Sequence, residues 1–351
     1  MKKKIAMIVD SDNWAFANIA KNVSKTLSEY YDIKIFPTQY FNDDIVSVLL
    51  LTQEFDLLHF FWRGKLYDFS QNRFKDKVMS LGLSIEDFMD KYFNHKIITT
   101  AVYDHLYVNN SEEITITNKI LEMCDQYYVS SKKLLNIYNK LNLCKKPFCE
   151  ITDGVDLNHF YPKNLKRFEN ISYRKVVVGW VGNSEWEKTK EDFKGVNTIL
   201  IPAINELISE GYPLEMFFAD RKERMIPHDE MVDYYSKIDL YICTSKIEGT
   251  PNPVLESMAC GVPIISTDVG IVDEIFGEKE RQYILEERSK ECLKKKIVTF
   301  LNNLDQINSL QHENAINIYN WQWKDISKKM KNFFDTAFQL YESKVNCDDK
   351  K

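Results

Sequence analysis

The chain is poor in residues that break regular structure, and it carries no excess of basic charge. Of its 351 residues, 11 are glycine and 9 are proline. It contains no low-complexity stretch and no internal repeat of the roughly 20–50-residue kind. The 44% of hydrophobic residues indicates packed cores and excludes a disordered chain. The net charge of −6 lacks the basic footprint of a general nucleic-acid binder, so we expect no nucleic-acid partner.

Metal-binding cysteine pairs and long apolar runs are also missing. The seven cysteines form no C-x-x-C pair, so we expect structural or incidental thiols rather than a zinc site. The opening MKKKIAMIVDSDNW has a basic tip, but its apolar run stops at Asp10. That run is too short for a signal peptide or a membrane span, and no other run reaches spanning length. We therefore expect a cytoplasmic protein, with peripheral contact at the inner face of the membrane left open.

Short apolar runs alternate with helical stretches in both halves of the chain. Continuous apolar strands separated by helices predict parallel sheets covered on both faces. The length exceeds one usual core. The predicted fold class is α/β, with two Rossmann-like, doubly wound domains facing a central cleft at the carboxyl ends of their strands. The predicted strands are Ile5–Val9, Ile33–Phe36, Phe55–Trp62, Lys96–Tyr103, Gln126–Ser130, Phe148–Thr152, Val176–Val181, Leu214–Ala219, Leu240–Thr244 and Pro263–Thr267.

Two segments interrupt this alternation. The polar and aromatic stretch between Trp62 and His95 is longer than an ordinary crossover and is predicted to be an insertion. The basic, irregular stretch YPKNLKRFENISYRK at 161–175 is predicted to be the linker, which divides the chain into domains at 1–160 and 161–325. Its basic residues could meet anionic lipid headgroups, although a solvated linker is the alternative. They are Lys163, Lys166, Arg167, Arg174 and Lys175.

The stretch EGTPNPVLESMACGVPIISTDVG, residues 248–270, predicts a loop, a helix and a buried strand. Asn252 is a good N-cap and Pro253 is favoured at the first helical position. The N–H groups of Val254 and Leu255 are then expected to point out of the helix end. Such an end attracts anions, phosphate among them.

Two glutamates flank this anion site. Glu256 lies one turn inside the helix, where a carboxylate is useful if it accepts hydrogen bonds from hydroxyls such as those of ribose. Glu248 lies in the loop on the other side, where Gly249 and Thr250 let the backbone approach a ligand closely. Complementing the helix dipole is the alternative for either glutamate alone.

The whole string resembles the E-x7-E signature of the retaining glycosyltransferases of family 4, which have the GT-B fold. ITDGVDLNHFYP at 151–162 resembles that family's crossover into the second domain, and VVVGWVGN at 176–183 resembles its first strand there. DFKG at 192–195 resembles its K-G helix start, and WQWKDISKKM at 321–330 resembles its terminal helix. These pieces follow the family's order over most of the chain.

The resemblance implies an acceptor-binding domain at 1–160, closed by a C-terminal helix at about 326–345, and a donor-binding domain at 161–325. It implies retaining transfer from a nucleotide-diphosphate sugar to a saccharide or lipid-linked saccharide, without a cofactor. Bacterial surface-polysaccharide assembly is the expected setting. No D-x-D-like acidic pair sits where a donor-bound metal would need it, so no metal is expected. A nucleotide-sugar 2-epimerase of the same fold and a catalytically silent nucleotide-sugar-binding subunit remain alternatives.

The resemblance also assigns roles in the second domain. Glu256 is expected to bind the donor ribose, Glu248 the transferred sugar, and Lys194 the diphosphate, with an ordinary solvated lysine as the alternative for Lys194. Asn183 stands where many relatives have arginine, which leaves the second diphosphate cation open. Arg221 is preferred over Lys188 and Lys190 because it follows a strand end. The donor-binding candidates are Glu256, Val254, Leu255, Gly249, Thr250, Asn183, Arg221 and Gly182.

In the first domain, TTAVYDH at 99–105 resembles the family's T-x-H-D region with the last two residues reversed. His105 joins Glu248 and Lys194 as a catalytic candidate, and a structural surface histidine is the alternative. Other strands of this domain also end in charged residues. The acceptor-side candidates are Asp10, Arg63 and Asp104.

Overall fold

The computed structural model describes residues 2–187 and 191–348, and the chain divides into two compact units. The first unit runs to Thr152 and resumes at Trp323, and the second is Asp153–Gln322. The boundary lies earlier than the predicted 160/161 because the segment after Thr152 packs within the second unit. The Val155 N–H donates to the Trp321 carbonyl at 2.9 Å, and Phe160 is buried in that unit's core.

The first unit is built on a six-stranded parallel sheet of order β2-β1-β3-β4-β5-β6. From β1 the chain goes first to β2 on one side and then to β3 on the other, so the sheet reverses its winding between β1 and β3. The strands at residues 57–60, 97–102 and 126–129 are buried along their whole length, as expected for strands covered on both faces. The strands of this sheet are β1 Lys3–Val9, β2 Tyr31–Pro37, β3 Leu57–Phe60, β4 Ile97–Val102, β5 Gln126–Val129 and β6 Cys149–Glu150.

The segment between Trp62 and His95 is a covered crossover rather than an insertion. Its aromatic side chains Phe69, Phe74 and Phe88 lie in the same core cluster as β1 and β3. The helices of the first unit up to Thr152 are α1 Ala15–Leu27, α2 Ile45–Leu51, α3 Gly64–Tyr67, α4 Asn72–Ser80, α5 Ile85–Met89, α6 Ser111–Glu122 and α7 Lys132–Lys140, with a single π-helical turn at Asp90–Asn94.

The last helix, Trp323–Asp348, belongs to the first unit. Its apolar face is buried beside β2 and β5, and the Phe333 and Tyr128 rings pack edge to face at 5.3 Å between centroids. The Tyr31 hydroxyl donates to the Asp335 carboxylate at 2.5 Å, and the Gln126 amide donates to the Phe333 carbonyl at 2.5 Å. The helix therefore completes the core of the first unit.

The second unit is built on a five-stranded parallel sheet of order β11-β10-β9-β7-β8. From β7 the chain goes to β8 on one side and then to β9 on the other, so this sheet reverses its winding between β7 and β9. Its strands are β7 Val176–Gly182, β8 Leu214–Asp220, β9 Leu240–Cys243, β10 Ile264–Thr267 and β11 Ile284–Leu285. Its helices are α8 Ile201–Ser209, α9 Met231–Tyr235, α10 Asn252–Ala259, α11 Val272–Ile275, α12 Glu278–Arg281, α13 Lys290–Asn302 and α14 Ile307–Ile318, with a π-helical turn at Val196–Leu200 before α8.

The predicted linker at 161–175 is instead part of the second unit. Phe168 and Ile171 are buried in its core, in two short 3₁₀ turns. The Arg174 guanidinium binds both oxygens of the buried Asp239 carboxylate, at 2.5 and 2.8 Å. Arg167 donates to the Ile238 carbonyl at 2.9 Å. These two arginines therefore bind groups within the second unit, and contact of the basic residues with lipid headgroups stays a prediction.

One carboxyl group lies deep in the second unit, at the start of β10. Glu280 is fully buried, and its Oε1 accepts the Ile264 N–H at 2.6 Å. Burial raises the pKa of Glu280 to about 8 because the ionised form loses its hydration. The side chain is therefore a neutral acid in the folded protein at neutral pH.

Across the described stretches 2–187 and 191–348, none of the helices combines the length and the apolar character needed to cross a bilayer.

Candidate functional site

The winding reversal of the second sheet brings Lys194 and Glu248 together. Lys194 follows β7, Glu248 follows β9, and these two strands are neighbours. The Lys194 Nζ lies 2.6 Å from the Glu248 Oε1, and both side chains are about one-fifth exposed. The Lys194 Nζ also lies 5.0 Å from the centre of the Trp186 ring. Crevices at such a reversal are where open α/β sheets bind their ligands.

The turn that carries Lys194 is held by hydrogen bonds and by a glycine. The Asp192 carboxylate accepts the N–H groups of Gly195, Asn197 and Thr198 at 2.8–2.9 Å, which caps the following helical turn. Gly195 has φ +69°, and a Cβ there would lie 2.6 Å from the Thr244 carbonyl oxygen. Glycine is therefore required for the turn to approach the end of β9 this closely.

The start of α10 differs from the prediction in its hydrogen bonds. Pro251 is the N-cap and the helix begins at Asn252. The Val254 N–H donates to the Pro251 carbonyl at 2.9 Å, so it is not the free anion donor that the sequence predicted. Asn252 is thus the first helical residue and not the cap, and its Nδ2 donates to the Asp153 carboxylate at 3.1 Å. Leu255 is buried, one position further into the same turn.

The loop between Glu248 and α10 is braced from two sides. The Thr250 hydroxyl accepts the Asp153 N–H at 3.0 Å, so its side chain supports the loop. Gly270 has φ +52°, and a Cβ there would lie 2.1 Å from the Gly249 carbonyl oxygen. Gly249 and Thr250 therefore position the backbone beside Glu248.

Glu256 is held by two side chains that the sequence analysis did not select. The buried Tyr235 hydroxyl donates to the Glu256 Oε2 at 2.7 Å. The His228 Nε2 lies 3.3 Å from the Glu256 Oε1. The Glu256 side chain is 12% exposed, so part of it remains accessible to a ligand.

The remaining donor-side candidates line the end of β7. The Asn183 Oδ1 accepts the Glu185 N–H at 3.0 Å, so this side chain shapes the turn after the strand. The Arg221 N–H donates to the Gly182 carbonyl at 2.9 Å, which places Arg221 beside Gly182 at the same edge of the sheet. The other two cation candidates, Lys188 and Lys190, lie outside the described residues.

In the first unit the structure joins two of the predicted acceptor-side residues. The Arg63 Nη2 lies 2.8 Å from the Asp104 Oδ1 and donates to the Leu106 carbonyl at 2.9 Å. Arg63 is only 6% exposed and is held by these two partners, and its role on the acceptor side stays a prediction. Arg63 fixes the loop that carries the half-buried His105.

Asp10 follows β1 and is partly engaged by the backbone. Its Oδ1 accepts the Ser11 N–H at 2.8 Å, and its carbonyl accepts the Gln39 N–H at 3.1 Å. Burial raises the pKa of the Asp10 carboxyl above its ordinary value. Because Asp10 directly follows β1, it lies at the winding reversal of the first sheet, between β1 and β3.

Residues 2–187 and 191–348 contain no group of three or more His, Cys, Asp or Glu side chains placed to hold a metal ion.

Comparison with known proteins gives a family match in the second unit. Residues 224–320 match the family model "Glycosyl transferases group 1". Over 75 residues the chain is 35% identical to the putative teichuronic acid biosynthesis glycosyltransferase TuaC of Bacillus subtilis, covering 21% of this chain and 19% of TuaC. Over 163 residues it is 28% identical to the lipopolysaccharide core biosynthesis mannosyltransferase LpsB of Rhizobium meliloti, covering 40% of this chain and 46% of LpsB. The chain thus spans less than half the length of these curated relatives.

A solved structure is similar to this chain over nearly its whole length. The structure of Anabaena HepE in complex with UDP-glucose matches with a TM-score of 0.65 at 14% identity, covering 95% of this chain and 99% of HepE. This likeness confirms the predicted fold class of two Rossmann-like parallel-sheet domains. The chain therefore has the GT-B fold, and residues 224–320 of its second unit match the glycosyl transferases group 1 model.

Proposed function

We propose that this protein is a retaining glycosyltransferase that moves a sugar from a nucleotide-diphosphate sugar to a saccharide or lipid-linked saccharide. The observation that carries the proposal is the Lys194–Glu248 ion pair at the winding reversal of the second sheet, beside the helix that carries Glu256. The group 1 family match over 224–320 and the relatives named for teichuronic acid and lipopolysaccharide synthesis support it. They also favour a role in bacterial surface-polysaccharide assembly.

In this proposal Lys194 meets the charge of the departing diphosphate. An ammonium group has three N–H donors, so Lys194 can keep its bond to Glu248 while it donates to a phosphate oxygen. Stabilising charge that develops in the transition state is usually the largest catalytic contribution. Arg221, at the same edge of the sheet, is the proposed second cation. No metal ion or other cofactor is then required.

Glu248 is proposed to bind the transferred sugar and Glu256 the ribose of the donor. The bond between the anomeric carbon and the diphosphate oxygen breaks, and its electron pair leaves with the diphosphate. The acceptor hydroxyl oxygen bonds to the same face of the sugar, and its proton is released with the products. UDP-glucose bound to HepE supports a nucleotide-sugar donor.

The first unit is proposed to bind the acceptor through residues at the carboxyl edge of its sheet. His105 can hydrogen-bond a sugar hydroxyl or the acceptor without carrying a fixed charge, since an imidazole has an unperturbed pKa near 6.5. The Arg63–Asp104 ion pair, at 2.8 Å, holds the loop that carries His105. Asp10 lies at the neighbouring strand end.

Radiolabelled nucleotide-diphosphate sugars, offered with and without saccharide acceptors, test this function. A glycosyltransferase moves label to the acceptor, and proton NMR of the product reports whether the anomeric configuration is retained. Conversion of the donor alone would identify a 2-epimerase instead. Donor binding without any turnover would identify a silent binding subunit.

A further inference from the structure

Both oxygens of the Glu256 carboxylate are hydrogen-bonded to side chains of the segment 228–235. Tyr235 lies at the end of α9 and is fully buried, and its hydroxyl donates to Oε2 at 2.7 Å. His228 lies in the short turn before α9, and its Nε2 is 3.3 Å from Oε1. Because a carboxylate only accepts hydrogen bonds, both contacts are donated to Glu256.

The His228 side chain is itself held from its other side. The His159 ring stacks on the His228 ring with 5.7 Å between centroids. The His159 Nε2 lies 3.1 Å from the His228 carbonyl oxygen, and the Phe160 ring packs edge to face against His228 at 5.2 Å. Residues 159 and 160 belong to the segment just after Thr152, so this segment supports the turn that reaches Glu256.

A glutamate side chain has three rotatable bonds, and a partly exposed one ordinarily samples several orientations. Here the Tyr235 and His228 donors hold one oxygen each, so the carboxylate keeps a single orientation, and 12% of the side chain stays exposed. Each oxygen can still accept a further hydrogen bond. A ligand that presents two adjacent hydroxyls then meets an acceptor group that is already ordered.

We propose that Tyr235 and His228 are positioning residues that fix the Glu256 carboxylate for the two ribose hydroxyls of the donor nucleotide. The inference rests on the proposed function, because it takes Glu256 as the ribose-binding group. Tyr235 and His228 touch the carboxylate rather than the donor. Their contribution therefore depends on whether the ligand carries both hydroxyls.

The neighbouring tyrosine provides a matched control. Tyr234 lies on the same short helix and is also buried, but its hydroxyl bonds to the backbone of Trp180 and Phe217 at 2.7–3.0 Å. Tyr234→Phe and Tyr235→Phe each remove one buried hydroxyl from one helix. Only Tyr235→Phe releases Glu256.

The experiment measures binding of UDP, GDP and ADP, each beside its 2′-deoxy form, by calorimetry. We expect wild type to prefer the ribonucleotide of at least one base. A hydrogen bond to a charged group is strong enough that Tyr235→Phe should weaken ribonucleotide binding at least about tenfold. Binding of the 2′-deoxy form should change little, so the preference collapses. Tyr234→Phe should keep the wild-type preference, and His228→Asn should lose part of it because its bond is longer.

Two failures are distinguishable. If wild type binds ribonucleotides and their 2′-deoxy forms equally, the ribose role of Glu256 is wrong and the proposed function loses its donor site. If wild type discriminates and Tyr235→Phe discriminates equally well, the positioning role is wrong while the donor site stands. An equal loss for both ligands in Tyr235→Phe would likewise overturn the positioning role. Should Tyr235→Phe fail to fold, a wild-type ribose preference in His228→Asn would overturn the inference, and a reduced one would support it.

Discussion

Gly270 supports the loop that carries Glu248, and its substitution by alanine should damage both stability and transfer. An L-residue held at the φ of +52° found here costs about 1–2 kcal/mol. The added Cβ would lie 2.1 Å from the Gly249 carbonyl oxygen, which must retreat by about 1.3 Å to reach an ordinary contact. Overpacking of this kind lowers the free energy of unfolding by about 1–3 kcal/mol more. The expected loss of unfolding free energy is therefore about 2–5 kcal/mol.

Gly211→Ala is the control for this prediction. Gly211 lies in the same unit with φ +93°, and a Cβ there meets nothing within 4 Å. Gly211→Ala has the backbone strain of a positive φ without a close contact of its Cβ. Its free energy of unfolding in urea should therefore fall by about 1–2 kcal/mol, and its transfer rate should stay that of wild type. A displacement of about 1 Å at a catalytic group can cost about a hundredfold in rate, so Gly270→Ala should transfer far more slowly. If both variants lose equal stability and both keep full transfer, Gly270 does not support the loop that carries Glu248.

Three further predictions concern single side chains. Lys194→Ala should lower turnover more than donor affinity, because the lysine charge is needed most as the diphosphate departs. If steady-state kinetics showed a loss of donor affinity at full turnover, Lys194 would bind the donor and the transition state equally, which would contradict this role. His105→Ala should keep nucleotide binding, measured by calorimetry, and its transfer rate should fall at least about tenfold, as is ordinary when a positioned proton-transfer or hydrogen-bonding group is removed. A normal transfer rate would show that His105 has a structural role. Glu280 keeps its proton in the folded state up to its pKa of about 8 but loses it near 4.5 when unfolded, so stability should fall as pH rises between these values. Glu280→Gln should remove that slope and exceed wild type at pH 8 by a few kcal/mol in urea unfolding, and an unchanged slope would contradict the burial argument.

Much of the fold could be predicted from local pattern. Continuous apolar strands identified both parallel sheets, because strands buried on two faces have few polar positions. The helix at Asn252 was predicted to within one residue by its proline and by Gly261. The linker at 161–175 was wrong because polar composition hid two buried anchors, Phe168 and Ile171, among charged residues.

The sequence selected Lys194, Glu248 and Glu256 from two short strings, but it did not select the side chains that hold Glu256. Glu248 and Glu256 stand eight positions apart, whereas Tyr235 and His228 reach Glu256 from a separate turn and helix. Nothing in the local pattern around α9 indicates which tyrosine faces a carboxylate. The Arg63–Asp104 pair could be inferred from the sequence, since opposite charges follow the adjacent strands β3 and β4. Strand adjacency has to be known before such a pair can be recognised.

The central claim is that the second unit binds a donor nucleotide through Glu256, and one titration tests it most directly. Calorimetry with UDP, GDP and ADP is carried out on wild type, on Glu256→Ala and on Glu215→Ala, whose glutamate is exposed on β8. Charge-assisted bonds of about 1.5–3 kcal/mol predict that Glu256→Ala weakens binding by about ten- to a hundredfold. Glu215→Ala should bind as wild type does. Equal affinity of wild type and Glu256→Ala for the nucleotide that binds, or no binding of any of the three to wild type, would contradict the account.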